Sequence, residues 1–283
     1  MSYLFLSIII LVQLMEQIIS KQYNLRAKRH NVILFTAVGC FCELIFFLLN
    51  SGGTLYFPKE LFSYGIAFAV AFGMASVAIV LAIQTGPLSV TVLIYSYSLL
   101  IPTCYGIFFL REPVHSSLYL GLAILAVALY LINRNKSERM KFRPMWIFNV
   151  LLAFVGNGMC STVQKMQQLR FSGAYKDELM VIALTIVTVM LLVIGLCQKG
   201  NKAEMLKLCL KYGPAKGICN GILNYLVMVV SASLPNAVLF PSISAGGIVL
   251  AFICALTIYQ EKLSKSQLVG YVLGIFAVVF LNL

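Results

Sequence analysis

Gln13, Glu16, Gln17 and Ser20 follow one another at i, i+3, i+4 and i+7 in a stretch otherwise dominated by leucine, isoleucine and phenylalanine. One helical face then carries all four. A carboxyl group flanked by amides can bind a cationic or hydroxylated solute, or trade a proton for it. Asn157, Ser161, Gln164 and Gln168 repeat the arrangement at i, i+4, i+7 and i+11, which is again one face. Glu43 is the other carboxylate deep in apolar sequence, and Asn220 and Asn224 share a face one turn apart. A further face runs through Thr91, Tyr95, Ser98, Pro102 and Tyr105, whose tyrosines can stack on a solute or hydrogen-bond to it. Gln13, Glu16, Gln17, Glu43, Tyr95, Asn157, Ser161, Gln164, Asn220 and Asn224 are therefore the expected solute and proton pathway. Pro102 and Pro241 are candidate helix breaks, because proline removes a backbone donor and frees a carbonyl.

Other chemistries find less footing. The two histidines, His30 and His115, lie apart, and the eight cysteines form no C-x-x-C pair. No H-E-x-x-H occurs, so no metal ligands, catalytic residues or cofactor are expected. The chain also lacks G-x-x-x-x-G-K-[ST], which argues against ATP-driven work. The cysteines read as small apolar packing residues.

The elements that must position these polar groups are membrane helices. The 283 residues are 61% hydrophobic and 11% charged, with a mean hydropathy of +0.95. Water-soluble domains run at about 45–50% apolar and about 25% charged. The apolar residues fall into ten stretches, near 2–20, 31–49, 60–83, 88–110, 116–133, 144–167, 178–197, 212–233, 236–258 and 266–282. Each is long enough for a helix to cross about 30 Å of hydrocarbon. The first stretch has no basic residues before it and no small-residue cleavage site after it, so it reads as a retained span. Its eleven Leu, Ile, Val and Phe residues between Leu4 and Ile19 supply roughly 3–7 kcal/mol of insertion energy. Glu16 and its polar neighbours offset much of that, so this span needs helix partners or water.

The net charge of +12 does not point to nucleic acid. Its lysines and arginines gather in short connections between spans: Lys21, Arg26, Lys28 and Arg29; Arg134, Lys136, Arg139, Lys141 and Arg143; Lys199, Lys202, Lys207 and Lys211; Lys262 and Lys265. The alternate connections hold little beyond Lys59, Arg111, Arg170 and Lys176. Counted by the positive-inside rule, both termini face outward. Lys21 and Lys165 fall near span ends, where their stems can snorkel to the interface.

The chain repeats itself. A shift of 149 residues lays Ile94 on Ile243, Glu112 on Glu261, Ser117 on Ser266, Gly121 on Gly270, Ala128 on Ala277 and Asn133 on Asn282. A shift of 144 lays Gln13 on Asn157, Gln17 on Ser161, Ser20 on Gln164 and Lys21 on Lys165. Two copies of an odd number of spans sit upside down relative to one another. The expected fold is all-α, ten transmembrane helices as two inverted five-helix repeats, residues 1–135 and 144–283, in one membrane domain.

Two patterns, Leu110-Arg111-Glu112-Pro113 with Gly121 and Tyr259-Gln260-Glu261-Lys262 with Gly270, place a glutamate after the fourth span of each half and a glycine nine residues on. Pro87 and Pro235 lead into the fourth and ninth spans. In these features the chain resembles the drug/metabolite transporter superfamily, and within it the EamA-like ten-helix transporters, over its whole length. The resemblance implies secondary transport of small organic solutes, often export, driven by protons or exchange, with both termini in the cytoplasm. Charge counting orients the chain the other way.

The expected function is secondary active transport of an amino acid, amine or similar metabolite by alternating access. A nucleotide-sugar or sugar-type transporter of the same fold is the alternative substrate class. A passive channel or a non-transporting membrane scaffold is the alternative of another kind, in which the buried amides merely join helices. The expected partners are a small-molecule solute, the lipid bilayer and protons, without nucleic acid, in a prokaryotic plasma membrane. Gly270 and Gly274 form a G-x-x-x-G in the last span, a close-packing device compatible with a monomer or a weak dimer. Glu112 and Glu261 are expected in loops, capping the helix that follows or pairing with Arg111 and Lys262.

Overall fold

The computed structural model describes residues 2–27, 32–85, 94–95, 97–112, 116–133, 144–197, 202–243, 246 and 265–281. Their order is α1 (Ser2–Ala27), α2 (Val32–Asn50), α3 (Lys59–Thr85), a 3-10 turn (Tyr97–Leu99) entering α4 (Leu100–Phe108), α5 (Ser116–Asn133), α6 (Pro144–Arg170), α7 (Lys176–Cys197), α8 (Lys202–Ser231), α9 (236–243) and α10 (Lys265–Leu281). Each of the ten apolar stretches meets one of these helices. Four segments, Val32–Asn50, Lys59–Ile79, Pro144–Arg170 and Lys176–Cys197, are long and apolar enough to cross a membrane. Shorter apolar helical segments occupy Leu4–Glu16, Tyr97–Phe108, Ser116–Ala128 and Leu268–Ala277.

The surface is that of a membrane protein. Along α7, Ile186, Val189, Met190, Val193 and Leu196 stand exposed, as do Phe62, Ile66 and Val70 on α3. Glu43, Gln164, Lys165, Gln167, Gln168 and Asn236 are buried. Water would punish this arrangement of apolar outside and polar inside, whereas hydrocarbon favours it.

The helices pack as a connected bundle: α3 along α6 and α7, α2 along α7 and α8, α1 along α8, and α5 along α10. Glycine permits the closest approaches. A Cβ on Gly217 of α8 would collide with the Gly39 carbonyl of α2 and lie 3.1 Å from the Glu43 nitrogen. On Gly156 of α6 it would lie 2.7 Å from Ala71 O and 2.9 Å from Ala75 N of α3. Small residues let helix backbones touch where lipid supplies no hydrophobic drive for association. Gly270 and Gly274 are buried in α10, which lies along α5, so this G-x-x-x-G packs within the chain.

Two boundaries differ from the sequence expectation. Helix α1 continues past residue 20 to Ala27, and α8 begins at Lys202 instead of near 212. Lys21, Arg26, Lys202, Lys207 and Lys211 are thus helical residues and not loop residues. Hydropathy ends a span at the hydrocarbon edge, but a helix keeps its backbone bonds satisfied by continuing into the headgroup zone. Arg26 donates to the Tyr212 hydroxyl there, its guanidinium carbon 5.5 Å from the ring centre, and so joins the ends of α1 and α8.

Candidate solute and proton site

Glu43 sits in the middle of α2 and is 1% exposed. Helix α8 faces it through Lys216, Asn220 and Asn224, spaced four residues apart and hence on one face. The Asn220 side-chain amide donates to one Glu43 carboxylate oxygen at 2.9 Å, and that of Asn224 to the other at 3.0 Å. A carboxylate that accepts on both oxygens is held as an acceptor, and each such charge-assisted bond is worth about 1.5–3 kcal/mol. The Asn224 amide also donates to the Asn220 carbonyl at 3.1 Å. Its own side-chain oxygen accepts from Gln164 Nε2 of α6 at 2.8 Å. One chain of bonds therefore crosses α2, α8 and α6.

A second chain runs from α6 toward α4. The Tyr95 hydroxyl donates to Asn157 Oδ1 at 2.9 Å, and Asn157 Nδ2 donates to the Ser98 hydroxyl at 2.6 Å. Gly158, beside Asn157, has the Ser98 carbonyl 2.7 Å from where its Cβ would stand. Glycine is what lets the 3-10 turn lie against α6.

Glu16 of α1 belongs to the same neighbourhood. Glu16 and Lys216 both stand within electrostatic range of Glu43, and Tyr95 within range of Glu16. Glu16 has no hydrogen-bond partner among the described residues, and Gln13, one turn earlier, has a buried side-chain oxygen without a donor. The Lys216 ammonium lies 5.0 Å from the centre of the Phe35 ring, a cation–π contact on the α2 face that also presents Gly39 and Glu43. Among the described residues, Glu16, Glu43 and Lys216 thus form a cluster of two carboxyl groups and one ammonium. The Gln13 oxygen is an acceptor without a donor among the described residues, which is costly when buried.

The structure thus brings Glu16, Glu43, Tyr95, Asn157, Gln164, Asn220 and Asn224 into one region. Gln13 faces no donor, and Ser161, half-buried on α6, joins neither bond chain. The side chains of Gln17, Ser20 and Lys21 lie outside the described residues, as do Thr91 and Glu261. Pro102 is the third residue of α4, where a missing N–H costs little because the first turn has no intrahelical acceptor for it. Its carbonyl accepts from Asn236 Nδ2 at 3.2 Å. Pro241 is buried within α9.

Three expectations are corrected. Lys165 does not snorkel to an interface: it is 4% exposed, with its ammonium 3.7 Å from Glu112 Oε1. Glu112 pairs with this lysine across the bundle instead of with its neighbour Arg111. It also accepts from the Ala237 N–H at 3.2 Å, which caps the first turn of α9, not of the helix that follows it in sequence. Lys216 is the residue that sequence reading passed over. Its signal is present in the sequence, since a lysine inside an apolar span is expensive.

No family model matches the chain, and no curated protein matches it. A solved structure described only as "Crystal structure of protein" is similar to it at 14% sequence identity and a TM-score of 0.76, with 99% of this chain and 95% of that one covered. At that identity the likeness concerns the fold alone. It extends over nearly the full length of both chains.

Proposed function

We propose that the chain is a secondary active transporter of small organic metabolites, of the EamA-like ten-helix kind, working by alternating access with proton coupling or exchange. The charge cluster of Glu16, Glu43 and Lys216 carries this reading. Two carboxyl groups near one ammonium give a proton and a cationic group of the solute the same place to bind, and competition for one place is the simplest coupling device. The amides of Asn220, Asn224 and Gln164 hold Glu43 as a fixed acceptor. Glu16, half-buried and without a donor among the described residues, is the group free to change partners.

The packing supports a two-half design. Exchanging α1–α5 with α6–α10 carries the contact between α3 and α6 onto that between α8 and α1, and α2 with α8 onto α7 with α3. The pairs α2 with α7 and α5 with α10 map onto themselves. That is the relation expected of inverted repeats. Short connections between helices fit a prokaryotic plasma membrane.

The test is flux in liposomes under an imposed pH gradient, with labelled amines, amino acids and sugars, for the wild type beside Glu16→Gln. Accumulation of one solute class, lost in the variant while solute exchange survives, is the expected result. Flux insensitive to the gradient and equal in both proteins would remove proton coupling through Glu16. Absence of flux for every solute would favour a scaffold.

A further inference from the structure

The Glu112–Lys165 pair takes no part in the charge cluster. It lies about 10 Å further along the bundle, since Ser231, which binds Lys165, is seven residues beyond Asn224 on α8. Lys165 donates to Ser231 O at 2.6 Å and Leu234 O at 3.0 Å, both at the end of α8. Glu112 reaches it because Arg111 adopts a left-handed φ of 52°, which turns the chain back over the end of α4. The Glu112 N–H then donates to Gly106 O at 3.1 Å. Gly106 presses so close to the Glu112 carboxylate that a Cβ would collide with it. Asn236 of α9 adds its bond to the Pro102 carbonyl. One ion pair therefore gathers α4, α6, α8 and α9 at one end of the pathway, joining elements of both halves of the chain.

A permanent staple has no need of charge. Exchanging a buried ion pair for well-packed apolar groups is often neutral or stabilising. Charge does offer reversibility: paired, the two groups tolerate burial, and parted in a water-filled opening, each is solvated. An apolar contact gains nothing from water and has no such second state. Lys165 also follows Gln164, which is bonded to Asn224, so a shift of α6 that frees the pair also disturbs the solute site. The sequence registers carry the same two residue types to Lys21 and Glu261, so lysine and glutamate recur at equivalent positions of the two halves.

We propose that Glu112 and Lys165 form a latch that closes one end of the solute pathway, made in the conformation seen here and broken when that end opens. The inference rests on the transporter reading, but its test needs no solute. Cys160, 7% exposed on α6 and within electrostatic range of Tyr95, reports access to the site. In a chain keeping Cys160 alone of its cysteines, labelling by a membrane-impermeant maleimide is followed from each face of proteoliposomes. Glu112→Gln and Lys165→Met are each expected to raise labelling about tenfold from one face only. The exchanged pair Glu112→Lys with Lys165→Glu is expected to return it to the original rate. Unchanged labelling in both single variants overturns the latch. So does an equal rise from both faces, which marks a staple whose loss loosens the whole bundle. Failure of the transporter reading shows separately, as absence of flux in the wild type.

Discussion

Glu43 accepts on both carboxylate oxygens in the interior, and its chemistry makes the sharpest residue-scale prediction. In Glu43→Gln one carboxylate oxygen becomes an NH2 group facing an asparagine amide that is itself a donor. At least one charge-assisted bond is lost, about 1.5–3 kcal/mol. The variant is expected to melt several degrees below the wild type in detergent and to lose solute flux, measured by thermal unfolding and by liposome uptake. Lys216 is tested by a double-mutant cycle. Lys216→Met removes the cation within electrostatic range of Glu16 and Glu43, and is expected to lower the unfolding free energy. Adding Glu16→Gln removes one of the two carboxyl groups, so the double variant is expected to recover much of that loss. Additive losses in unfolding free energy would show that Lys216 does not serve these carboxylates. At this scale the sequence marked most participants by type and spacing. It did not show which would bond, because that depends on how α2, α6 and α8 are rotated against one another.

At the scale of elements, the same substitution should differ by what it meets. Gly156→Ala on α6 would press a methyl against backbone atoms of Ala71 and Ala75 at 2.7 and 2.9 Å, which cannot move without parting α3 from α6. Gly73→Ala on α3 meets the Met190 Cε at 2.7 Å, the far end of a flexible and partly exposed side chain. We expect Gly156→Ala to cost about 1–3 kcal/mol and Gly73→Ala to stay within about 1 kcal/mol, compared by thermal unfolding of the purified variants. Similar losses in both would show that the α3–α6 contact is not set by backbone approach. Helix existence was readable from hydropathy, since each of the ten stretches meets a helix among the described residues. Helix ends were not, because α1 and α8 run on into residues that are polar enough to look like loops.

For the whole molecule, the buried glycines of α10 decide what its G-x-x-x-G does. Gly274→Leu is expected to force α10 away from α5, lowering the melting temperature while leaving the particle mass in detergent unchanged, as read by light scattering. A change in mass without loss of stability would place this motif at a seam between chains. The apolar composition and the ten stretches are properties of residue type and order, so the sequence by itself determined a helical membrane protein with polar faces inside it. The tertiary structure alone decided that Glu43 is held by two asparagines, that Lys216 stands within electrostatic range of the carboxylates, and that Lys165 crosses the bundle to Glu112. Those partners lie 53 to 200 residues apart in sequence, and periodicity along one helix carries no information about which face of another it will meet.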